Sequence, residues 1–184
     1  MFIQTEQTPN PATLKFLPGC TVMASGTANF TDSRSVARSP LAERLFALPE
    51  VTGVFLGADF ITVTKDGDSD WHQLKPAVLA AIMEHFTAGH PVILADAAAS
   101  ADTEGGEEED EIVTQIKELL ETRVRPAVAM DGGDIIFDDF ADGIVYLHMQ
   151  GSCSGCPSST ATLKAGIENM LRHYIPEVVE VRAV

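Results

Sequence analysis

Apolar and polar positions along this 184-residue chain recur with two different periods, and the switches between them outline two sets of elements. Thr13-Leu14-Lys15-Phe16-Leu17 reads as a strand and stops at Pro18-Gly19, a turn pair. Ser39-Pro40 ahead of Leu41 to Leu48 predicts a helix with a serine cap and proline at its first position. Val51 to Leu56 and Phe60 to Thr64, separated by Gly57-Ala58-Asp59, predict a hairpin. Trp71, Leu74, Val78, Ile82 and Phe86 recur at helical spacing, one apolar stripe facing a core. Pro76 interrupts that stripe, so the helix is expected to start near Lys75 or to have an irregular first turn.

Further along, Ile112, Ile116, Leu119 and Leu120 share a helical face, Arg123 and Arg125 suit its negative end, and Pro126 is expected to stop it. Asp131-Gly132-Gly133 reads as a turn that sets where the next strand begins. Asp134 to Phe140 and Ile144 to Met149 predict strands joined by Ala141-Asp142-Gly143. Pro157 opens a helix with Leu163, Ile167, Met170, Leu171 and Tyr174 along one face, ending before Pro176, and Val178 to Val184 is placed as a returning third strand. The fold class that follows is α+β: two small α+β domains, each a small sheet packed by two helices.

Between the two sets the composition breaks, from about Asp96 to Asp110. Ala97 to Ala101 leads into Glu104-Gly105-Gly106-Glu107-Glu108-Glu109-Asp110, without an aromatic or a base. Like charges and paired glycines predict an extended tether, although carboxylates from Glu107 to Glu111 also suit the first turn of a helix. The domains are therefore set at 1–90 and 108–184, with an acidic linker over 91–107. A formal net charge of −15 argues against a nucleic-acid partner, since phosphate backbones reward lysine and arginine. No apolar run is long enough to cross a bilayer, so no membrane partner is expected. Met1 to Glu6 has neither a basic n-region nor an apolar core, so no secretory signal is expected.

Cys20, Cys153 and Cys156 are the only cysteines, too few for a disulfide framework and consistent with a reducing compartment. Gly151-Ser152-Cys153-Ser154-Gly155-Cys156-Pro157 puts two sulfurs on one loop at a helix start. That position favours negative charge, so lowered thiol pKa values and a pair of thiolates are expected. Neighbouring N–H groups and the Ser152, Ser154, Ser158 and Ser159 hydroxyls are expected to donate to the sulfurs. Two thiolates complete neither a zinc site nor a cluster, which ordinarily take four ligands. The rest can come from His148 and His173, from another cysteine, or from the same pair in a second copy. Spacing alone leaves three readings open: a cluster site, a thiol–disulfide oxidoreductase, or a zinc-stabilised interaction module using Cys153, Cys156, His148 and His173. Against the oxidoreductase, the strand before the loop is assigned to a hairpin and not to a βαβ unit. His148 and His173 otherwise read as a packed or surface histidine and as a helix-end charge.

Met130-Asp131-Gly132-Gly133-Asp134, the cysteine loop through Ser159, Thr162-Leu163-Lys164 and Ile167-Glu168 resemble the NifU C-terminal domain. Phe2 to Glu6, Thr8-Pro9-Asn10-Pro11, Leu14-Lys15-Phe16 and Pro18-Gly19 resemble the Nfu N-terminal domain. Together they are similar to the two-domain Nfu-type iron–sulfur cluster scaffold or carrier of bacteria and mitochondria. The resemblance implies that Cys153 and Cys156 ligate a [4Fe–4S] cluster with their counterparts in a second chain, leaving a [2Fe–2S] form open. It implies transfer to apo iron–sulfur client proteins, such as lipoyl synthase or aconitase-type enzymes, and no enzymatic turnover. The N-terminal domain would contribute client contacts, and Cys20 matches no motif of the family. The expected location is the bacterial cytoplasm, or the mitochondrial matrix for a processed form.

Overall fold

The computed structural model describes residues 1–94, 111–154 and 157–184. The expected linker over 91–107 falls mostly outside them. The chain divides into two compact units, Met1–Thr103 and Glu104–Val184, each with its own core. Among the described residues no helix is long and apolar enough to cross a membrane.

The first unit is a five-stranded antiparallel sheet in the order β1-β2-β5-β4-β3, with two helices. The strands are β1 (Gln4–Gln7), β2 (Thr13–Leu17), β3 (Ala28–Phe30), β4 (Val51–Leu56) and β5 (Ile61–Lys65). Helix α1 (Pro40–Phe46) starts as its residues dictate: Ser39 Oγ accepts from the Ala42 N–H at 3.1 Å, and Pro40 takes the first position. The same hydroxyl donates to the Val92 carbonyl at 2.6 Å, and the Leu94 N–H donates to the Arg38 carbonyl at 2.9 Å. Those two bonds hold the chain leaving α2 (Trp71–Thr87) against the entry to α1. Helix α2 corrects one expectation, for it is continuous from Trp71, capped by Asp70, with Pro76 inside its second turn. Its stripe is core as the spacing predicts. Leu74, Val78 and Ile82 are buried, and Trp71 lies 6.4 Å from Phe16 between ring centroids.

The second unit is a three-stranded sheet, β6-β7-β8, covered by two helical segments. The first is a rod of α3 (Glu111–Leu119), a π-helical turn (Leu120–Val124) and α4 (Arg125–Met130). Pro126 therefore does not stop the helix. The preceding turn widens so that the Arg125 N–H donates to the Leu120 carbonyl, five residues back. The wider turn accommodates a residue that lacks an N–H and would press its ring on the turn below. Strands β6 (Gly133–Ala141) and β7 (Ile144–Gly151) form the predicted hairpin, turning through Asp142 and Gly143, both at positive φ. Helix α5 (Pro157–Tyr174) then crosses over and returns the chain as β8 (Glu180–Ala183), parallel to β7. Strand β7 thus belongs to a hairpin and to a βαβ unit at once. This removes the topological argument raised against an oxidoreductase.

Candidate functional site

The cysteine loop is built on the turn that ends the helical rod. Gly132, at φ 80°, closes α4: its N–H donates to the Ala129 carbonyl at 3.1 Å, and the Asp131 N–H donates to that of Val128 at 3.1 Å. One residue on, Gly133 pairs with Gly151 at the open end of the hairpin. The loop folds back onto this turn. The Ser152 N–H donates to the Gly132 carbonyl at 3.2 Å, and the Ser152 hydroxyl donates to that of Asp131. The Ser154 N–H and hydroxyl donate to the Gly151 carbonyl at 3.2 and 2.9 Å, and the Thr160 hydroxyl to that of Cys153 at 3.1 Å. Every one of these bonds goes to backbone, which fixes the path of the chain around the sulfur. The Ser152 and Ser154 hydroxyls thus donate to backbone carbonyls of the loop and of the turn beneath it.

Cys153 is 6% exposed and belongs to the core of its own unit, which also holds Ile135, Leu147 and Ile167. Gly133 is what makes room for it. A Cβ at that position would lie 2.4 Å from Cys153 Sγ, 2.9 Å from the Gln150 carbonyl oxygen and 3.1 Å from the Cys153 nitrogen. The expected lowering of the thiol pKa is overturned here. Burial pushes the Cys153 thiol up to about 11, the Asp131 and Asp134 carboxylates add to the rise, and the adjoining Ser152 hydroxyl offsets only part of it. The metal-free chain holds a protonated thiol at neutral pH because removing an ion from water outweighs the pull of a helix start. Cys156, the other predicted ligand, lies outside the described residues.

Asp134 follows Gly133 along β6. Its carboxylate is buried and accepts from Arg125 through both oxygens at 2.9 Å, and from the Ile135 N–H at 2.8 Å. Arg125 also donates to Glu121 at 2.6 Å. The two carboxylates, outweighing desolvation, raise the guanidinium pKa further above its already high value. The turn expected at Asp131-Gly132-Gly133 is present at Asp131 and Gly132, with Gly133 already the first residue of β6, and the sequence pattern did not show that Gly133 seats the sulfur. The available signal was the glycine pair between two aspartates.

The histidines of the zinc reading are engaged elsewhere. His148, on the exposed side of β7, has Nε2 3.1 Å from Asp138 Oδ1 and Nδ1 3.1 Å from the Val184 carbonyl. His173 lies at the end of α5 with its ring edge-on to Tyr174 at 5.0 Å. Among the described residues, no group of three or more His, Cys, Asp or Glu is gathered to hold a metal. A buried thiol with a raised pKa also runs against a redox nucleophile, which needs a low-pKa, accessible thiolate. Cys20 is exposed, in a surface depression of the first unit with Phe2, Leu17 and Asp59.

Two family models match the chain: the Nfu/NifU scaffold protein N-terminal model over residues 3–89 and the NifU-like domain over 116–182. The mitochondrial NFU1 iron–sulfur cluster scaffold homolog of Drosophila sechellia is 55% identical over 185 residues, covering 100% of this chain and 65% of that protein. The mitochondrial NifU-like protein 4 of Arabidopsis thaliana is 54% identical over 181 residues, covering 97% and 64%. The mitochondrial NFU1 scaffold homolog of Homo sapiens is 52% identical over 185 residues, covering 100% and 72%. The chain thus spans about two thirds of the length of these relatives. Among solved structures, a NifU-like protein of Saccharomyces cerevisiae aligns with a TM-score of 0.46 at 30% identity, over 50% of this chain and 84% of that one.

Proposed function

This chain belongs to the Nfu/NifU family of iron–sulfur cluster scaffold proteins, and from that premise we propose that it is a cluster carrier whose cargo is held by Cys153 and Cys156. The observation that carries the reading is a sulfur on a purpose-built seat: Cys153 rests over Gly133 with its loop bonded to the carbonyls of Asp131 and Gly132. Each chain supplies two thiols in this motif, half of what a cluster ordinarily takes. A second copy related by a twofold axis supplies the other half, and the cargo is then a [4Fe–4S] cluster shared by two chains.

Delivery proceeds by ligand exchange. A client thiolate attacks an iron at the shared edge and displaces one carrier sulfur. A client whose ligands all lie in one chain avoids the entropic cost of holding two chains together, so the cluster moves toward it. The domains act at 1–90 and 108–184, and the acidic 91–107 tether lets the first hold a client while the second reaches it. The names of the relatives support the mitochondrial alternative over the bacterial cytoplasm expected with the resemblance.

Anaerobic reconstitution with ferrous iron and sulfide tests this. Equal amounts of iron and sulfide and a doubled mass are expected, both lost in Cys153→Ser and Cys156→Ser. Full uptake by Cys153→Ser, or a strictly monomeric loaded protein, overturns the assignment.

A further inference from the structure

Thiolate ligation leaves a bound cluster with net negative charge, yet this chain buries a carboxylate one residue from the glycine that seats Cys153. Asp134 follows Gly133, the residue whose added Cβ would sit 2.4 Å from the Cys153 sulfur, and Asp134 is only 3% exposed. A carboxylate buried one residue from that seat disfavours an anionic ligand set unless a cation offsets it. The offsetting cation is Arg125, bonded through Nε and Nη2 to the two Asp134 oxygens at 2.9 Å each. The pairing is specific to a guanidinium, since a lysine presents one ammonium where two parallel donors are used. Arg125 is delivered there by the π-helical turn, and Glu121 steadies it from the turn before.

We propose that the Arg125–Asp134 pair sets the charge of the cargo site, with Arg125 a positioning residue that acts through Asp134 to let the Cys153 loop hold an anionic cluster. This rests on the carrier function proposed above and deepens it. The pair also ties β6 to the helical rod, while β6 and β7 are joined by backbone pairing from Gly133–Gly151 to Ala141–Ile144, so the unfolding midpoint is read alongside the charge effects.

The charge account fixes opposite signs for the two partners, and a structural account does not. The full-length chain is reconstituted anaerobically as wild type, Asp134→Asn, Arg125→Met, Arg125→Lys and Arg125→Met/Asp134→Asn. Three quantities are read: cluster loss to an iron(II) chelator, the midpoint potential of the bound cluster, and the unfolding midpoint reported by tyrosine. Asp134→Asn, which leaves the guanidinium charge in place, is expected to slow cluster loss several-fold and raise the potential. Arg125→Met, which leaves a bare buried carboxylate, is expected to speed loss at least about tenfold and lower the potential. The double variant returns both toward wild type, and Arg125→Lys falls between wild type and Arg125→Met. A folded Asp134→Asn chain that loses its cluster at the wild-type rate or faster, with an unmoved potential, overturns the proposal and leaves the carrier function standing. If Asp134→Asn does not fold, the double variant decides: loss and potential both as in Arg125→Met overturn the proposal. A wild-type chain that takes up no iron and sulfide sinks the carrier function and this inference with it.

Discussion

Replacing Gly133 by alanine adds one methyl group where the cysteine sulfur sits. Gly133 is not among the glycines with positive φ, so its backbone is open to alanine and the unfolded chain would lose entropy, a gain of about 0.4–1 kcal/mol. Sterics oppose this. The added carbon meets Cys153 Sγ at 2.4 Å, which a rotamer change can relieve, but also the Gln150 carbonyl oxygen at 2.9 Å and the Cys153 nitrogen at 3.1 Å, which are backbone. Overpacking of this kind costs about 1–3 kcal/mol, and the backbone contacts put it at the upper end, for a net loss of about 2 kcal/mol. The chain labels its two units for this assay. Trp71 is the sole tryptophan and lies in the first unit, while both tyrosines, Tyr146 and Tyr174, lie in the second. Urea unfolding of the metal-free protein should show the tyrosine transition falling by about 1–2 M, at about 1–2 kcal/mol per molar, with the Trp71 transition unmoved. Alkylation of Cys153 should quicken as its seat is displaced. A folded Gly133→Ala chain with an unchanged tyrosine midpoint and unchanged Cys153 reactivity would refute the argument that this glycine exists for the sulfur.

Further outcomes follow from the same contacts. The buried Cys153 thiol keeps its proton up to about 11, whereas an unfolded cysteine loses it near about 8.5. The native chain therefore holds more protons between those values, so its second unit loses stability as pH rises through them; Cys153→Ser should flatten that part of the tyrosine-reported curve. His85 is fully buried with neither ring nitrogen bonded to protein, and burial, with help from Arg44 and His90, lowers its pKa. It remains neutral where an unfolded histidine takes up a proton, so the Trp71 midpoint should fall as pH drops below about 6.5, and His85→Phe should abolish the slope. Ser39→Ala removes both the cap to Ala42 and the bond to Val92, and should cost the first unit about 1–2 kcal/mol by Trp71 fluorescence.

Elements written in short-range chemistry were legible in the chain. The Ser39 cap, the β4–β5 and β6–β7 hairpins, the α2 stripe and the α5 start each depend on residues within a few positions of one another. Strands β1 and β3 were missed, because they are short edge strands without strong alternation. The passage of the helical rod through Pro126 was misjudged, since local rules see a missing N–H and not the widened turn that absorbs it. His85 escaped notice because the stripe that defined the helix passes one residue away, at Phe86.

The amino-acid order by itself determined the two-cysteine motif, the two α+β units and most of the helices and strands, because periodicity, caps and turn residues act over one or two turns of chain. Only tertiary structure decided what surrounds the sulfur. Gly133 and Cys153 meet because strand pairing aligns Gly133 with Gly151. Burial among the side chains of both helices and the sheet, with the Asp131 and Asp134 carboxylates adding to it, then reverses the charge preference that the loop's position at a helix start predicts. Desolvation depends on what closes over a group from distant parts of the chain, and no local pattern carries that information.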